Sequence, residues 1–466
     1  MTAKRLLAAA AVAAVLLLSG CASMSTNKEH LATTEQMLAR HDYAAAANTV
    51  LRARDVGYTP KERVVFWLDL GMLEHYAAQW DSSNTNLTDA EDAIEELFTK
   101  SVSKAALSLL LNDNALDYSG EDYEDIYLNV FKALNYVHLG LPDEALVEVR
   151  RIDGKVRLLQ DKYQKLAKGY QQSADAKLDI KTGESRFHTS ALAQWMAMLL
   201  YRADRKYDDA RIALEGISTA FANQAQLYPF SRPNLESYLA PADRARLDVV
   251  SFVGRCPDKK ARTLYIHTEK DLIIIAATEE NPRKHQELEE LDVFPWEGVE
   301  EGYHFKFQLP YLEPIGTEVQ RVRLLIDGMP AGNLDLIESL ENVAMDTWKI
   351  KEPMVYLKTI IRATAKGLLA EQGKQKMTNE LGDGFLGFAA RLATDIAVDA
   401  TENADLRISR FFPAQALVGE FGVEPGPHQL TVEYYNTHGV LMFSDNLGEV
   451  DVTLTGVNLV ESFYLK

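Results

Sequence analysis

FWLDLGMLEHYAAQWDSSNTNLTDA, Phe66 to Ala90, is the stretch on which the reading of this chain turns. Trp67, Leu70 and Gly71 stand at W-x2-L-G spacing, and twelve residues past Gly71 comes the small Ser83. The apolar Leu87 follows four residues later and the small Ala90 three after that. Two helices in antiparallel contact need this pattern: small residues let the axes approach, and bulky ones fill the groove between them.

Other segments keep the same phase. In NVFKALNYVHLGLPDEALVEVRRI the matching residues are Ala133, Tyr136, Gly140, Ala145 and Val149. QWMAMLLYRADRKYDDARIALEGI supplies Met198, Tyr201, Tyr207, Ala210 and Leu214, and RHDYAAAANTV supplies Tyr43, Ala46 and Val50. The spacing is that of a tetratricopeptide unit, whose period is about 34 residues. Ala46 to Ser83 is one period; Ser83 to Ala145 and Ala145 to Ala210 are read as two units each, one of them degenerate. Each unit buries its face on its neighbours, so an array is expected, with a superhelical groove for a partner.

MTAKRLLAAAAVAAVLLLSGC opens the chain with Lys4 and Arg5 and then an apolar run, Leu6 to Leu18, too short for a trustworthy membrane span. Residues 1–20 read as an export signal. Leu18-Ser19-Gly20-Cys21 resembles the lipobox of bacterial lipoproteins, which implies a diacylglycerol on the sulfur of Cys21 and an acyl chain on its amine after cleavage. Such chains, each contributing about 0.8 kcal/mol per buried CH2, hold a protein on a bilayer. Residue 22 is alanine, not the aspartate associated with inner-membrane retention, so the resemblance implies the periplasmic face of the outer membrane.

The 466 residues suffice for two or three domains, and 47% apolar with 25% charged residues is ordinary globular composition. Removing residues 1–20 takes two of the 49 basic residues and none of the 68 acidic ones, leaving 47 against 68, or 21 net negative. That argues against nucleic acid and against anionic lipid head groups as charge partners. Cys256 has no partner for an intramolecular disulfide once Cys21 is lipidated, so a shielded thiol is expected.

Residues 21–28 read as a lipidated tether, 29–220 as the helical repeat domain and 221–243, rich in Pro, Ser, Asn and Tyr, as a linker. Beyond it the periodicity changes to two. ARTLYIHTEKDLIIIAATEE, YHFKFQLPYL, EVQRVRLLIDGMPAG and VEPGPHQLTVEYY read as strands of a β-rich domain, 244–466, with a helical insertion at about 334–403. The fold class expected is therefore α+β and multidomain: a tetratricopeptide-like array followed by a β-sandwich-like domain.

NDNALDYSGEDYEDIYLNVFKALNYVHLGLPDEALVEVRRI, KEPMVYLKTIIRATAKGLLA and ENADLRISRFFPAQ together resemble a group of bacterial tetratricopeptide envelope lipoproteins. The resemblance implies a location and an architecture and no catalytic residues. Gly382-Asp383-Gly384-Phe385-Leu386-Gly387 has the G-x-G-x-x-G spacing, but polar helix-like residues precede it where a dinucleotide fold needs a strand. The ten histidines show no H-E-x-x-H, neither G-x-S-x-G nor S-x-x-K with K-T-G occurs, and Glu289-Glu290 and Glu300-Glu301 lie in polar tracts. No catalytic, cofactor or metal residue is assigned, and no binding residue beyond the lipid site Cys21. The function expected is a non-enzymatic envelope scaffold or adaptor that binds a protein or peptide. The alternative is a peptidoglycan-binding or glycan-cleaving protein using the β-rich part.

Overall fold

The four turns that the phase brings into register are built alike. They join α1 (Ala22–Ala39) to α2 (Tyr43–Arg52), α3 (Arg63–Tyr76) to α4 (Trp80–Ser103), α5 (Asp122–His138) to α6 (Pro142–Ser173), and α7 (Ala191–Ala203) to α8 (Tyr207–Asn223). Each holds one residue in the left-handed region: His41, Ala78, Gly140 and Arg205, with φ of 58°, 57°, 71° and 60°. The next amide reaches back five residues in every case: Asp42 to Met37, Gln79 to Glu74, Leu141 to Tyr136, Lys206 to Tyr201, at 2.8–3.0 Å. This is the Schellman closure of a helix end. Ala46, Ser83, Ala145 and Ala210, five residues after each left-handed position, are fully buried.

These hairpins do not make the expected array followed by a sandwich. The computed structural model describes residues 22–103, 113–173, 182–240, 244–278, 288–295, 299, 301–302, 304–372 and 403–466. Among them no extra unit fills the two long intervals: α6 covers 32 described residues, nearly a whole period of about 34, and α4 covers 24, about two thirds of one. The inner helices also have no free groove. One apolar core runs from Leu73 of α3, Phe131 of α5 and Met198 of α7 into the β-sheet at Val250, Phe252 and Phe463. The fold class is mixed α/β, with the helices wrapped on a sheet that the sequence assigned to a separate domain.

That sheet has seven strands: β1 (Ala245–Val253), β6 (Val319–Ile326), β7 (Met329–Ser339), β8 (Gln415–Val423), β9 (Gly426–Asn436), β10 (Leu441–Val452) and β11 (Leu459–Tyr464). Their order is β10-β9-β6-β7-β8-β1-β11, and the one parallel pair is β1 with β11, Asp248 opposite Leu459. The end strands come together where the Phe443 and Tyr464 rings lie 5.9 Å apart, so the sheet is a nearly closed barrel and not a sandwich. Alternation explains how it serves two cores. Leu247, Val249 and Val253 of β1 fill the barrel with Leu324, Val432 and Tyr434, while Val250 and Phe252 point at the helices.

A second sheet, ordered β4 (Leu288–Pro295), β3 (Leu272–Thr278), β2 (Asp258–Glu269) and β5 (His304–Glu313), packs Ile266, Ile273 and Phe307 against Ile360 of α9 (Leu340–Gln372). The insertion thus begins after β7, not at 334. The described part of the expected linker 221–243, residues 221–240, is packed: Leu227, Tyr228, Leu235 and Tyr238 are buried, and the Gln224 side-chain carbonyl accepts from the His188 backbone amide at 2.6 Å. Residues 22–28 of the stretch read as a tether are already helical, as part of α1. The signal, Cys21, and Gly382 to Gly387 lie outside the described residues.

At the opening stretch the Ser83 hydroxyl donates to the Gly71 carbonyl at 2.7 Å, and a Cβ on Gly71 would meet Leu87 at 2.8 Å. Gly71→Leu overpacks this contact and should cost about 1–3 kcal/mol. Thermal melting checks it, and an unchanged midpoint would refute the contact.

Candidate functional site

Residues 113–121, the break between α4 and α5, are held down by the strap that leads into β8. The Arg407 guanidinium donates to the carbonyls of Asp113 (2.8 Å), Leu116 (3.0 Å) and Lys61 (3.3 Å) and pairs with Asp405 at 2.7 Å. Glu121 then caps α5 while the Glu124 carboxylate accepts its amide at 2.7 Å. The Glu121 carboxylate carries two ammonium groups, Lys259 from β2 and Lys351 from α9. Asp122 accepts from Lys162 at 2.9 Å and from the Tyr163 hydroxyl at 2.6 Å. Asp113 takes Lys358 and, at 3.7 Å, Arg362.

Between these groups lies a cavity of about 390 Å³ with apolar walls at Leu97, Leu166, Met354 and Val355. Lys259 and Lys351 sit 5.5 and 5.0 Å from the centre of the Trp348 ring. Trp348 is 6% exposed, and its Nε1 has no hydrogen-bond partner. The three segments that carry the lipoprotein resemblance, 112–152, 351–370 and 402–415, all contribute to this cavity.

Electrostatics divides the buried acids into two kinds. Burial alone would raise Asp113, but Lys358 and Arg362 outweigh it and hold it at about 2. Burial likewise opposes Glu461 on β11, which His75 at 3.1 Å and His138 at 2.7 Å hold at about 2. At Asp69 burial outweighs Arg410 and the Ser409 hydroxyl, and at Glu124 burial and the neighbouring Glu121 outweigh the Ser409 amide, so both are pushed up to about 7.

Unfolded carboxyls titrate near 4. Asp69 and Glu124 therefore bind a proton more tightly in the native state, and their contribution, full below about 4, is lost as pH rises through about 7. Asp113 and Glu461 contribute above about 4 and lose this as pH falls through about 2. Thermal midpoints measured from pH 3 to 9 should peak between about 4 and 7. A steady rise up to pH 9 would contradict the assignment.

The sequence singled out none of these cavity cations. Tyr136 and Tyr201 pack on the helical core, and Arg150 donates to the Tyr201 hydroxyl at 3.1 Å. Cys256 is buried, donates its thiol to the Pro413 carbonyl at 3.0 Å, and is raised in pKa by burial, as suits an unreactive thiol. Among the described residues no group of three His, Cys, Asp or Glu side chains could hold a metal ion. Comparison with family models, with known proteins and with solved structures finds no match, so the site rests on its own geometry.

Proposed function

We propose that this chain is a lipoprotein anchored through Cys21 to the periplasmic face of the outer membrane, and that it serves there as a non-enzymatic scaffold for a protein of the cell envelope. The observation that carries the reading is Leu18-Ser19-Gly20-Cys21 behind Lys4, Arg5 and the apolar run Leu6 to Leu18. Because the barrel covers the inner helices, the surface open to a partner is the outer one, where Val147, Leu158, Tyr207 and Ile212 are exposed on α6 and α8. These four side chains are the positions on that surface at which contact with a partner is to be sought.

Cys21→Ser removes the sulfur that accepts the diacylglycerol. The variant should run as an uncleaved precursor in the inner membrane, while wild type takes up labelled palmitate and fractionates with the outer membrane. Wild type free of label and free in the periplasm would overturn the anchor. For the scaffold role, a photo-crosslinking residue at Leu158 or Ile212 should capture one defined envelope protein in living cells. Failure at both positions, or sedimentation of the purified protein with the peptidoglycan sacculus instead, would favour the glycan reading.

A further inference from the structure

Lysine is almost never fully buried without a partner of its own. Here two of them, Lys259 and Lys351, with side chains 4% and 13% exposed, share the single carboxylate of Glu121. Asp122 and Glu124 also act on Lys351 through space, but Asp122 already holds Lys162 and burial pushes Glu124 up to about 7, so the lysine pair keeps positive charge that Glu121 alone does not cancel, in a chain whose net charge is −19. A different kind of observation stands at the same place. Both ammonium groups rest against the ring of Trp348, whose indole N–H is a buried donor without an acceptor. Buried donors are paired in the great majority of cases, because an unmade bond leaves the loss of hydration uncompensated. Missing negative charge and a missing acceptor meet in one cavity, whose volume of about 390 Å³ is that of a small-molecule site.

We infer that this cavity is a binding site for a small organic anion: a carboxylate or phosphate group received by Lys259, Lys351 and the Trp348 N–H, on an apolar body lying against Met354 and Val355. The anion supplies the charge that the second lysine lacks and the acceptor that the indole lacks. The apolar walls then select an anion with a hydrophobic body over a bare one. This site is separate from the outer helical surface proposed for the protein partner, and either can fail without the other.

The architecture also provides the variants. Lys351→Met leaves Glu121 paired with Lys259, so the α5 cap keeps its ion pair, and Trp348→Phe keeps an aromatic ring while deleting the donor. Full-length protein in detergent would be titrated calorimetrically with 3-phenylpropionate, phenyl phosphate, the neutral 3-phenylpropan-1-ol and inorganic phosphate. At least one aromatic anion should saturate one site per chain, and the stronger of the two tells carboxylate from phosphate. The alcohol should not bind, and inorganic phosphate should bind at least tenfold more weakly than the better aromatic anion. Each variant should weaken that anion tenfold or more with an unchanged circular dichroism spectrum. Equal binding of the alcohol, undiminished binding by folded Trp348→Phe, or no anion binding below about 10 mM would overturn the site.

Discussion

Gly183→Ala, the addition of one methyl group, should destabilise the protein by more than about 3 kcal/mol, above the usual range for overpacking. Proline has no N–H, so Pro353 inside α9 leaves the Lys349 carbonyl without its helical donor four residues on. Gly183 lies in that gap and donates its own amide to the Ile350 carbonyl at 2.9 Å. A Cβ at residue 183 would stand 1.9 Å from the Lys349 carbonyl oxygen, and the obstacle is backbone that cannot rotate away. Two neighbouring bonds, from the Ser185 hydroxyl and the Arg186 amide to Asp346 at 2.7 Å each, fix the same segment to α9. Urea unfolding measures the loss, and proteolysis should cut first within residues 182–190. A midpoint equal to wild type would mean that this segment does not dock on the helix as described.

Glu338→Ala should rank beside it. The buried Glu338 carboxylate ends β7 and accepts from the Tyr127 hydroxyl, the Ser190 hydroxyl (2.8 Å), the Leu192 amide (2.9 Å) and the Tyr228 hydroxyl (2.9 Å). It therefore ties α5, the start of α7 and the segment after α8 to the barrel. Burial raises its pKa against the pull of these donors. Truncation takes this acceptor from four donors, of which the Tyr228 hydroxyl can still turn to the Thr189 carbonyl at 3.2 Å; at about 1–3 kcal/mol for each of the others, a total near 4 kcal/mol is expected. Glu338→Gln keeps one acceptor oxygen, and the hydroxyls can turn to receive its amide, so it should recover part of the loss. Alanine and glutamine variants that melt together at the wild-type temperature would remove Glu338 from this role.

The hairpin turns were legible because their cause is local: a left-handed residue, a small residue five on, and an apolar anchor. Gly140 and Ala145 announce this within six residues. The strands were legible for the same reason, as in the alternation of β2 and β9. Sheet order was not, because the partner of Asp248 is Leu459, and nothing in either tract names the other. Nor could periodicity reveal that both faces of β1 are covered, one by the barrel and one by helices. The cavity was the least legible element. Lys259 alternates with polar neighbours and Lys351 sits in a charged helix, where exposed lysine is the ordinary outcome. Only the long-range meeting of 113–121, α9 and the strap at 405–407 turns them inward.

The bond from His75 to Glu461 spans 386 positions of sequence. A ribosome adding roughly 5–20 residues per second needs about 20–80 s to cover that distance. Throughout that interval the aromatic side of α3, Tyr76 included, has been made without Phe463 to cover it. Every copy of the chain therefore passes through a stage in which its most apolar helices are a sticky open surface. How much protein a cell obtains is then set by what shelters that surface while the final strand is awaited, a matter of timing that the strength of the finished barrel does not govern.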